Sequence, residues 1–153
     1  MKERGPDWCV KLGAFGISKR AEDHTALRTF TGTHRYLAPE VLGLLEIESD
    51  QAKGYTVAVD IWALGVISFH LLTGEQPFPG PGFRLLKGFI EGRLDFPFEP
   101  LLARKVSQES IKFINELLEL LPYSRPNSQE ALSRSWLQLE RLFSARSSLD
   151  RVR

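Results

Sequence analysis

The sequence predicts a mainly α-helical protein that opens with one short β-strand. Two observations support this fold class. Apolar residues recur at helical spacing in the segments that follow residue 55, and Gly and Pro clusters separate those segments. Before residue 55, the stretch Trp8–Leu12 has the aromatic and β-branched composition that is typical of a strand.

The bulk composition narrows the classes of function. The chain has 153 residues, 42% of them hydrophobic, which fits one soluble globular domain. Its formal net charge is only +1, so we expect neither a nucleic-acid partner nor a membrane surface. The single cysteine, Cys9, excludes an internal disulfide and favours an intracellular compartment; on a strand it is better read as an apolar filler than as a reactive thiol.

The N-terminal third is predicted to hold little regular structure. Gly5-Pro6-Asp7 is a turn, and if it closes a hairpin with the strand at Trp8–Leu12, the partner strand lies almost wholly before residue 1. Residues 18–37 are polar and aperiodic, which predicts a loop. Pro39 suits the first turn of a short helix that ends near Leu45.

Four further helices are expected. The first runs from Val57 to Thr73 with Gly74 as its C-cap, and its apolar character indicates a buried core helix. It is interrupted by charge and shorter than the ~20 residues of a membrane span. The second runs from Phe83 to Glu91 and stops at Gly92.

The last two predicted helices begin at polar caps. Ser107 caps a helix with apolar residues at helical spacing, and a break follows at residues 122–126. Asn127-Ser128-Gln129-Glu130 resembles a capping box for a final helix with apolar positions at Leu132, Trp136, Leu139 and Phe143.

Five short segments carry a family resemblance. They are Ala14-Phe15-Gly16, the stretch Thr31–Glu40, Asp60–Gly65, Thr73–Phe78 and Arg125-Pro126. In this order they resemble D-F-G, G-T-x-x-Y-x-A-P-E, D-x-W-x-x-G, T-G-x-x-P-F and R-P of the C-terminal lobe of eukaryotic protein kinases. The resemblance spans about residues 8–140, and the ordered spacing makes it specific although each motif alone is weak.

The resemblance also indicates one branch of the kinase family and the limits of the kinase-like region in this chain. Thr33 is the residue that serine/threonine kinases carry after this Gly, and Ile17–Arg20 with T-G-x-x-P-F are similar to the calcium/calmodulin-dependent group. It implies a partial kinase domain over residues 1–143, namely the helical lobe without the N-terminal lobe. Residues 144–153 are polar and are expected to form a disordered tail.

The family uses ATP and Mg²⁺, but the sequence does not match its catalytic parts. The resemblance places a metal-binding Asp where this chain has Ala14, whose methyl group cannot ligate Mg²⁺. The Gly-rich loop, the strand Lys and the catalytic loop have no counterpart in the 153 residues. We therefore expect no catalytic, cofactor-binding or metal-binding residue, and no ATP or Mg²⁺ binding by this chain alone.

The activation segment is assigned by resemblance. Phe15 and Gly16 follow the altered metal position. Thr29 and Thr31 lie where the family is often phosphorylated, with solvated loop threonines as the equal alternative. Lys19 resembles a residue that can meet a phosphothreonine, and an ordinary surface lysine is the simpler interpretation. Without a catalytic Asp to contact, the Thr33 hydroxyl is better read as part of a turn.

A second group of residues is assigned structural roles by the resemblance. Glu40 and Arg125 are expected to form the ion pair that joins the activation segment to the later helices, and Asp60 to hold the catalytic loop, which leaves it short of partners here. The remaining members, expected in the core or in the motif framework, are Tyr36, Pro39, Trp62 and Gly65.

Three interpretations remain open. The chain is a kinase that lacks its N-terminal half, a derivative of a pseudokinase that has lost metal binding, or a free-standing module that binds proteins through its helical surface. In each case the expected partner is a protein substrate or another protein partner. The oligomeric state is not predicted.

Overall fold

The computed structural model is organised around one long helix, α1, which spans Tyr55–Thr73. The structure describes Lys11, Gly13, residues 34–45 and residues 55–138. Within these ranges all regular structure is helical. None of the described helices is long and apolar enough to cross a membrane.

In the described part of the chain, four shorter α-helices and three single 3-10 turns accompany α1. The α-helices are α2 (Arg84–Ile90), α3 (Glu99–Ala103), α4 (Gln108–Leu117) and α5 (Ser128–Leu132). The 3-10 turns are His34–Tyr36, Pro81–Phe83 and Pro122–Ser124. Residues 135–138 are again helical.

Helix α1 packs most closely against α4, and a glycine makes this contact possible. A Cβ placed on Gly65 would lie 2.8 Å from two side-chain atoms of Leu118 and 3.0 Å from Cβ of Leu117. Real Cβ contacts are almost never that short, so the two helices could not approach this closely with a larger residue. The Gly of D-x-W-x-x-G therefore has a packing role.

Aromatic side chains fill the other side of the core. Phe78 stacks on Phe89 with ring centroids 5.2 Å apart and lies nearly parallel to Trp62 at 6.2 Å. Phe96 meets Phe78, Phe89 and Phe69 edge to face. Edge-to-face and offset pairs at these distances are the favoured aromatic geometries, so the loop after α1 is fixed to the core by Phe78.

The helix ends that local chemistry predicts at Gly74, Gly92, Ser107 and Asn127 are confirmed, whereas α1 begins two residues earlier than predicted, at Tyr55, and α2 is one residue shorter at each end. Gly74 has φ +79° after the last residue of α1, and Gly92 has φ +67° just beyond α2. The Ser107 hydroxyl accepts a hydrogen bond from the amide of Ser110 at the start of α4. Asn127 and Glu130 form the reciprocal capping box of α5.

Other expectations were wrong in part. Pro39–Gly43 forms consecutive hydrogen-bonded turns and not a helix to Leu45. The last helix stops at Leu132, where Ser133 takes a C-cap position, before the chain becomes helical again. Helix α3 was not predicted. The expected strand (apart from Lys11), the tail 144–153 and most of the 18–37 loop lie outside the described residues.

Candidate functional site

Arg125 lies at the centre of a buried junction between three parts of the chain. The 3-10 turn Pro122–Ser124 delivers it, and its side chain is fully buried. Nε donates to the carbonyl of Glu119 at 2.8 Å and Nη2 to that of Leu120 at 3.0 Å, which closes the loop after α4. Nη1 donates to the carbonyl of Ala58 in the first turns of α1 at 3.0 Å.

Glu40 provides the charge that balances Arg125. Nη1 donates to Oε1 of Glu40 at 2.6 Å and Nη2 to Oε2 at 2.9 Å, so the pair is bidentate. The side chain of Glu40 is only 3% exposed, and the two residues are 85 positions apart in sequence. The turns at residues 39–43, held by the amides of Val41 and Leu42 on the carbonyl of Ala38, aim the carboxylate inward.

All five N–H donors of the guanidinium are used in this way. In addition, Cζ of Arg125 lies 5.0 Å from the ring centroid of Trp62, which is itself 1% exposed. A planar guanidinium over an indole face is favourable, more so without water. The junction is therefore a saturated site in which each donor already has a protein acceptor.

A saturated buried ion pair is suited to holding segments together and not to chemistry on a substrate. Both charges have lost their water, and each depends on the other to offset that loss. No donor of the guanidinium is left over to bind a ligand. The arrangement fixes residues 34–45 to the helical core.

The opposite face of α1 has different surroundings. Four large apolar side chains on this face are each at least 42% exposed: Val57, Leu64, Ile67 and Leu71. Their helical spacing places them on one side of α1 together with Asp60. We call these five residues the α1 stripe. Asp60 is exposed as a residue, but neighbouring protein atoms partly desolvate its carboxyl and so raise its pKa, and no described residue donates a hydrogen bond to it.

The T-G-x-x-P-F segment closes α1 and leads into the core. The hydroxyl of Thr73, which is 2% exposed, donates to the carbonyl of Phe69 at 2.8 Å and accepts from the amide of Glu75 at 3.0 Å. Gly74 then reverses the chain with a positive φ. Phe78 enters the aromatic cluster. The segment therefore ends helix α1 and fixes the loop that follows to the core through Phe78.

The structure brings together three of the residues assigned by sequence. Glu40, Trp62 and Arg125 meet at the junction, from three separate motifs. Tyr36 is half-buried against the core, and Pro39 is buried. Asp60 does not join them. Ala14, Phe15, Gly16, Lys19, Thr29, Thr31 and Thr33 lie outside the described residues.

Sequence reasoning missed the carbonyls that hold Arg125. Glu119, Leu120 and Ala58 contribute backbone oxygens only, so no side-chain pattern could have identified them. The one signal available was the location of Arg125 in a short loop beside Pro126, after a helix whose last carbonyls need donors.

The described residues do not offer a site for Mg²⁺. Among residues 34–45 and 55–138, no group of three or more His, Cys, Asp and Glu side chains is arranged to hold a metal ion. The position that should supply the carboxylate in the family holds Ala14. The side chains of the described residues therefore do not fit the metal.

Comparisons with known proteins support the family resemblance that the sequence motifs indicate. The family model of the protein kinase domain matches residues 1–137. The chain is 38% identical over 132 residues to serine/threonine-protein kinase cds1 of Schizosaccharomyces pombe, covering 85% of this chain and 28% of that protein. It is 35% identical to calcium/calmodulin-dependent protein kinase cmkA of Emericella nidulans, covering 90% of this chain and 31% of that one.

A solved structure shows the same relationship in three dimensions. The crystal structure of the Rad53 kinase domain and SCD2 aligns with a TM-score of 0.61 and 31% identity, covering 83% of this chain and 40% of that one. The chain spans less than half the length of these proteins. It belongs to the protein kinase family, and it forms a helical part of a kinase domain whose relatives are serine/threonine kinases.

Proposed function

We propose that these residues supply the helical lobe of a serine/threonine protein kinase domain, over residues 1–143, with residues 144–153 as a polar tail. The Arg125–Glu40 junction is the observation that carries this proposal. It ties the A-P-E end of the activation segment to α1 and to the loop after α4. A lobe held in this way can present a protein substrate to a nucleotide bound elsewhere in the domain.

In this proposal the segment before Glu40 faces the substrate. Thr29 and Thr31 are candidate phosphorylation positions, Lys19 is their candidate cationic partner, and Thr33 lies in the loop that meets the acceptor. The partner is a protein substrate or a protein regulator. The single cysteine and the use of ATP by the family support an intracellular location.

The 153 residues by themselves are not expected to transfer phosphate. Ala14 cannot bind Mg²⁺, and the base that would take the proton of the acceptor hydroxyl has no counterpart in the chain. One restored carboxylate would be insufficient, because Mg²⁺ in kinases is also held by the phosphates of ATP. Binding and turnover both need the remainder of a kinase domain.

A regulatory protein-binding module derived from a pseudokinase is the second candidate function. The α1 stripe favours it, since an apolar helix face of this size is a surface that other protein atoms can cover. This candidate differs from the first in one respect: the lobe would bind proteins without supporting phosphoryl transfer, even if metal binding were restored.

The first experiment tests the chain alone. We would titrate ATP with Mg²⁺ into the wild-type chain and the Ala14→Asp variant by calorimetry, and assay both for phosphate transfer. We expect neither metal-dependent binding nor turnover from either protein. Submillimolar, Mg²⁺-dependent binding of ATP by either one would contradict the proposed absence of an active site.

The second experiment separates the two candidate functions. The portion of Schizosaccharomyces pombe cds1 that precedes the matched region would be fused to this chain, and kinase activity compared for the unchanged chimaera, its Ala14→Asp variant and the isosteric control Ala14→Asn. A competent kinase lobe gives activity only with the Ala14→Asp substitution. A folded chimaera that stays inactive with that substitution would favour the protein-binding module.

A further inference from the structure

An open groove lies beside α2, away from the Arg125 junction. Its walls are residues 79–81, the exposed side of α2 and the turn that follows α2, and its volume is about 500 Å³. Clefts of ~300–1,000 Å³ are the usual size of ligand sites. We call it the α2 groove.

The groove is held open by well-packed surroundings. The amides of Arg93 and Leu94 both donate to the carbonyl of Gly88, at 2.9 and 3.1 Å, so the turn folds back along the helix. Leu86 and Phe89, on the other side of α2, pack into the core. The shape therefore exists before any ligand arrives, which lowers the entropic cost of binding.

Gly88 determines the floor of the groove. A Cβ at this position would lie 2.6 Å from Cδ1 of Leu94 and 2.9 Å from its Cγ. Because no side chain is present, Leu94 lies directly against the helix. Leu94 and Leu85 are 44% and 41% exposed, and together they give the groove an apolar floor.

The rim is basic. Arg84, Lys87 and Arg93 line the groove, and no carboxylate of a described residue does. Arg93 is paired with Glu91, and both side chains remain at least half exposed. Arg84 and Lys87 have no carboxylate partner among the residues that the structure describes. Two cations without a carboxylate partner in the described part of the chain, above an apolar floor, are complementary to a peptide that carries both carboxylates and apolar side chains.

We propose that the α2 groove binds an acidic peptide segment of a partner protein. Apolar side chains of the segment would pack on Leu85 and Leu94, and its carboxylates would pair with Arg84 and Lys87. Nucleotide and metal play no part in this contact, so it can be tested even if the proposed kinase function is wrong.

The test uses the full chain and a fluorescent peptide of alternating Glu and Leu, followed by anisotropy. We expect saturable binding that weakens as salt rises. The double variant Arg84→Glu/Lys87→Glu should lose about tenfold in affinity, the effect expected for two exposed ion pairs. Lys112→Glu, an exposed charge reversal on α4 outside the groove lining, is the control and should bind like the wild type.

Further probes examine each part of the proposal. Leu85→Ser should weaken binding without altering the salt dependence, and a peptide of alternating Glu and Ser should bind less tightly than the Glu/Leu peptide. Circular dichroism would verify that each variant is folded. Equal binding by Lys112→Glu and the double variant, no binding of the peptide, or tighter binding of a single-stranded oligonucleotide would each overturn the proposal.

Discussion

Helix α1 carries large apolar side chains on two faces, and only one of these faces is covered by the described part of the chain. On the covered face, Trp62 is 1% and Phe69 0% exposed, whereas Leu71 in the α1 stripe is 77% exposed. The covered face also contacts a charge, since Arg125 lies over Trp62 with every donor satisfied. The stripe holds a charge too, but Asp60 has no described donor.

The comparison shows that composition does not determine the surroundings of a helix face. Both faces are rich in large apolar residues, and burial of either one would be favourable by about 25 cal/mol per Å² of apolar surface. What distinguishes them is the presence of α4 and of the Arg125 loop on one side.

The largest effect is expected at the junction. Arg125→Ala leaves Glu40 as an unpaired buried carboxylate and should lower the free energy of unfolding by about 3–5 kcal/mol. Urea denaturation followed by circular dichroism measures it. Arg104→Ala removes an exposed arginine and should stay within about 0.5 kcal/mol of the wild type. A loss no greater than that of this control would mean that the junction does not hold the lobe together.

The next largest loss of stability is expected when a buried leucine is truncated, in comparison with an exposed one. Leu117 is 0% exposed on α4 and Leu71 is 77% exposed in the α1 stripe. Leu117→Ala should destabilise the fold by about 2–5 kcal/mol, and Leu71→Ala should change stability by no more than about 0.5 kcal/mol. Thermal and urea unfolding of the two variants provide the measurement. A large loss with Leu71→Ala would show that some part of the chain covers the stripe.

The sequence could predict the features that local chemistry determines. The cap at Ser107, the capping box at Asn127 and the glycine that ends α1 follow from residue types and their offsets alone. The meeting of Glu40 and Arg125 was expected only from the family resemblance, because no local rule connects residues 85 positions apart.

Other features depend on tertiary packing and could not be predicted. A helix that is apolar on all sides gives no signal about which face will be covered, so the exposure of the α1 stripe was not foreseen. The residues after Pro39 form turns where a helix was expected, and the carboxylate of Glu40 in these turns pairs with Arg125. The five-residue helix α3 is too short for a periodic pattern to be recognised.

A smaller effect is expected at the contact between α1 and α4. Gly65→Ala places a methyl group against Leu118. The loss of stability from overpacking, about 1–3 kcal/mol, should exceed the gain in stability of about 1 kcal/mol from replacing glycine in a helix. The double variant Gly65→Ala/Leu118→Ala tests the cause, since it removes the clashing side chain. If the two losses simply add in a double-mutant cycle, the close approach of the helices is not the reason.

The smallest effect concerns the charge in the α1 stripe. Desolvation raises the pKa of Asp60 above the ordinary value of 3.8, so the folded state binds this proton more tightly than the unfolded state does. The associated stability is fully present below pH 3.8 and is lost as the pH rises through the pKa of the folded state. Asp60→Asn should therefore match the wild type in acid and be slightly more stable near neutral pH.

The Asp60→Asn substitution also distinguishes an α1 stripe that stays exposed to solvent from one that an added protein segment covers. In the chimaera with Schizosaccharomyces pombe cds1, the family resemblance predicts that backbone N–H groups of the added segment donate to Asp60 and favour its charged form. The pKa would then fall below the ordinary value, and stability would be lost as the pH drops. Asp60→Asn should consequently destabilise the chimaera near neutral pH while it stabilises the chain alone. Urea titrations of the four proteins at acid and neutral pH measure both signs, and the same sign in both contexts would show that the added segment does not reach the stripe.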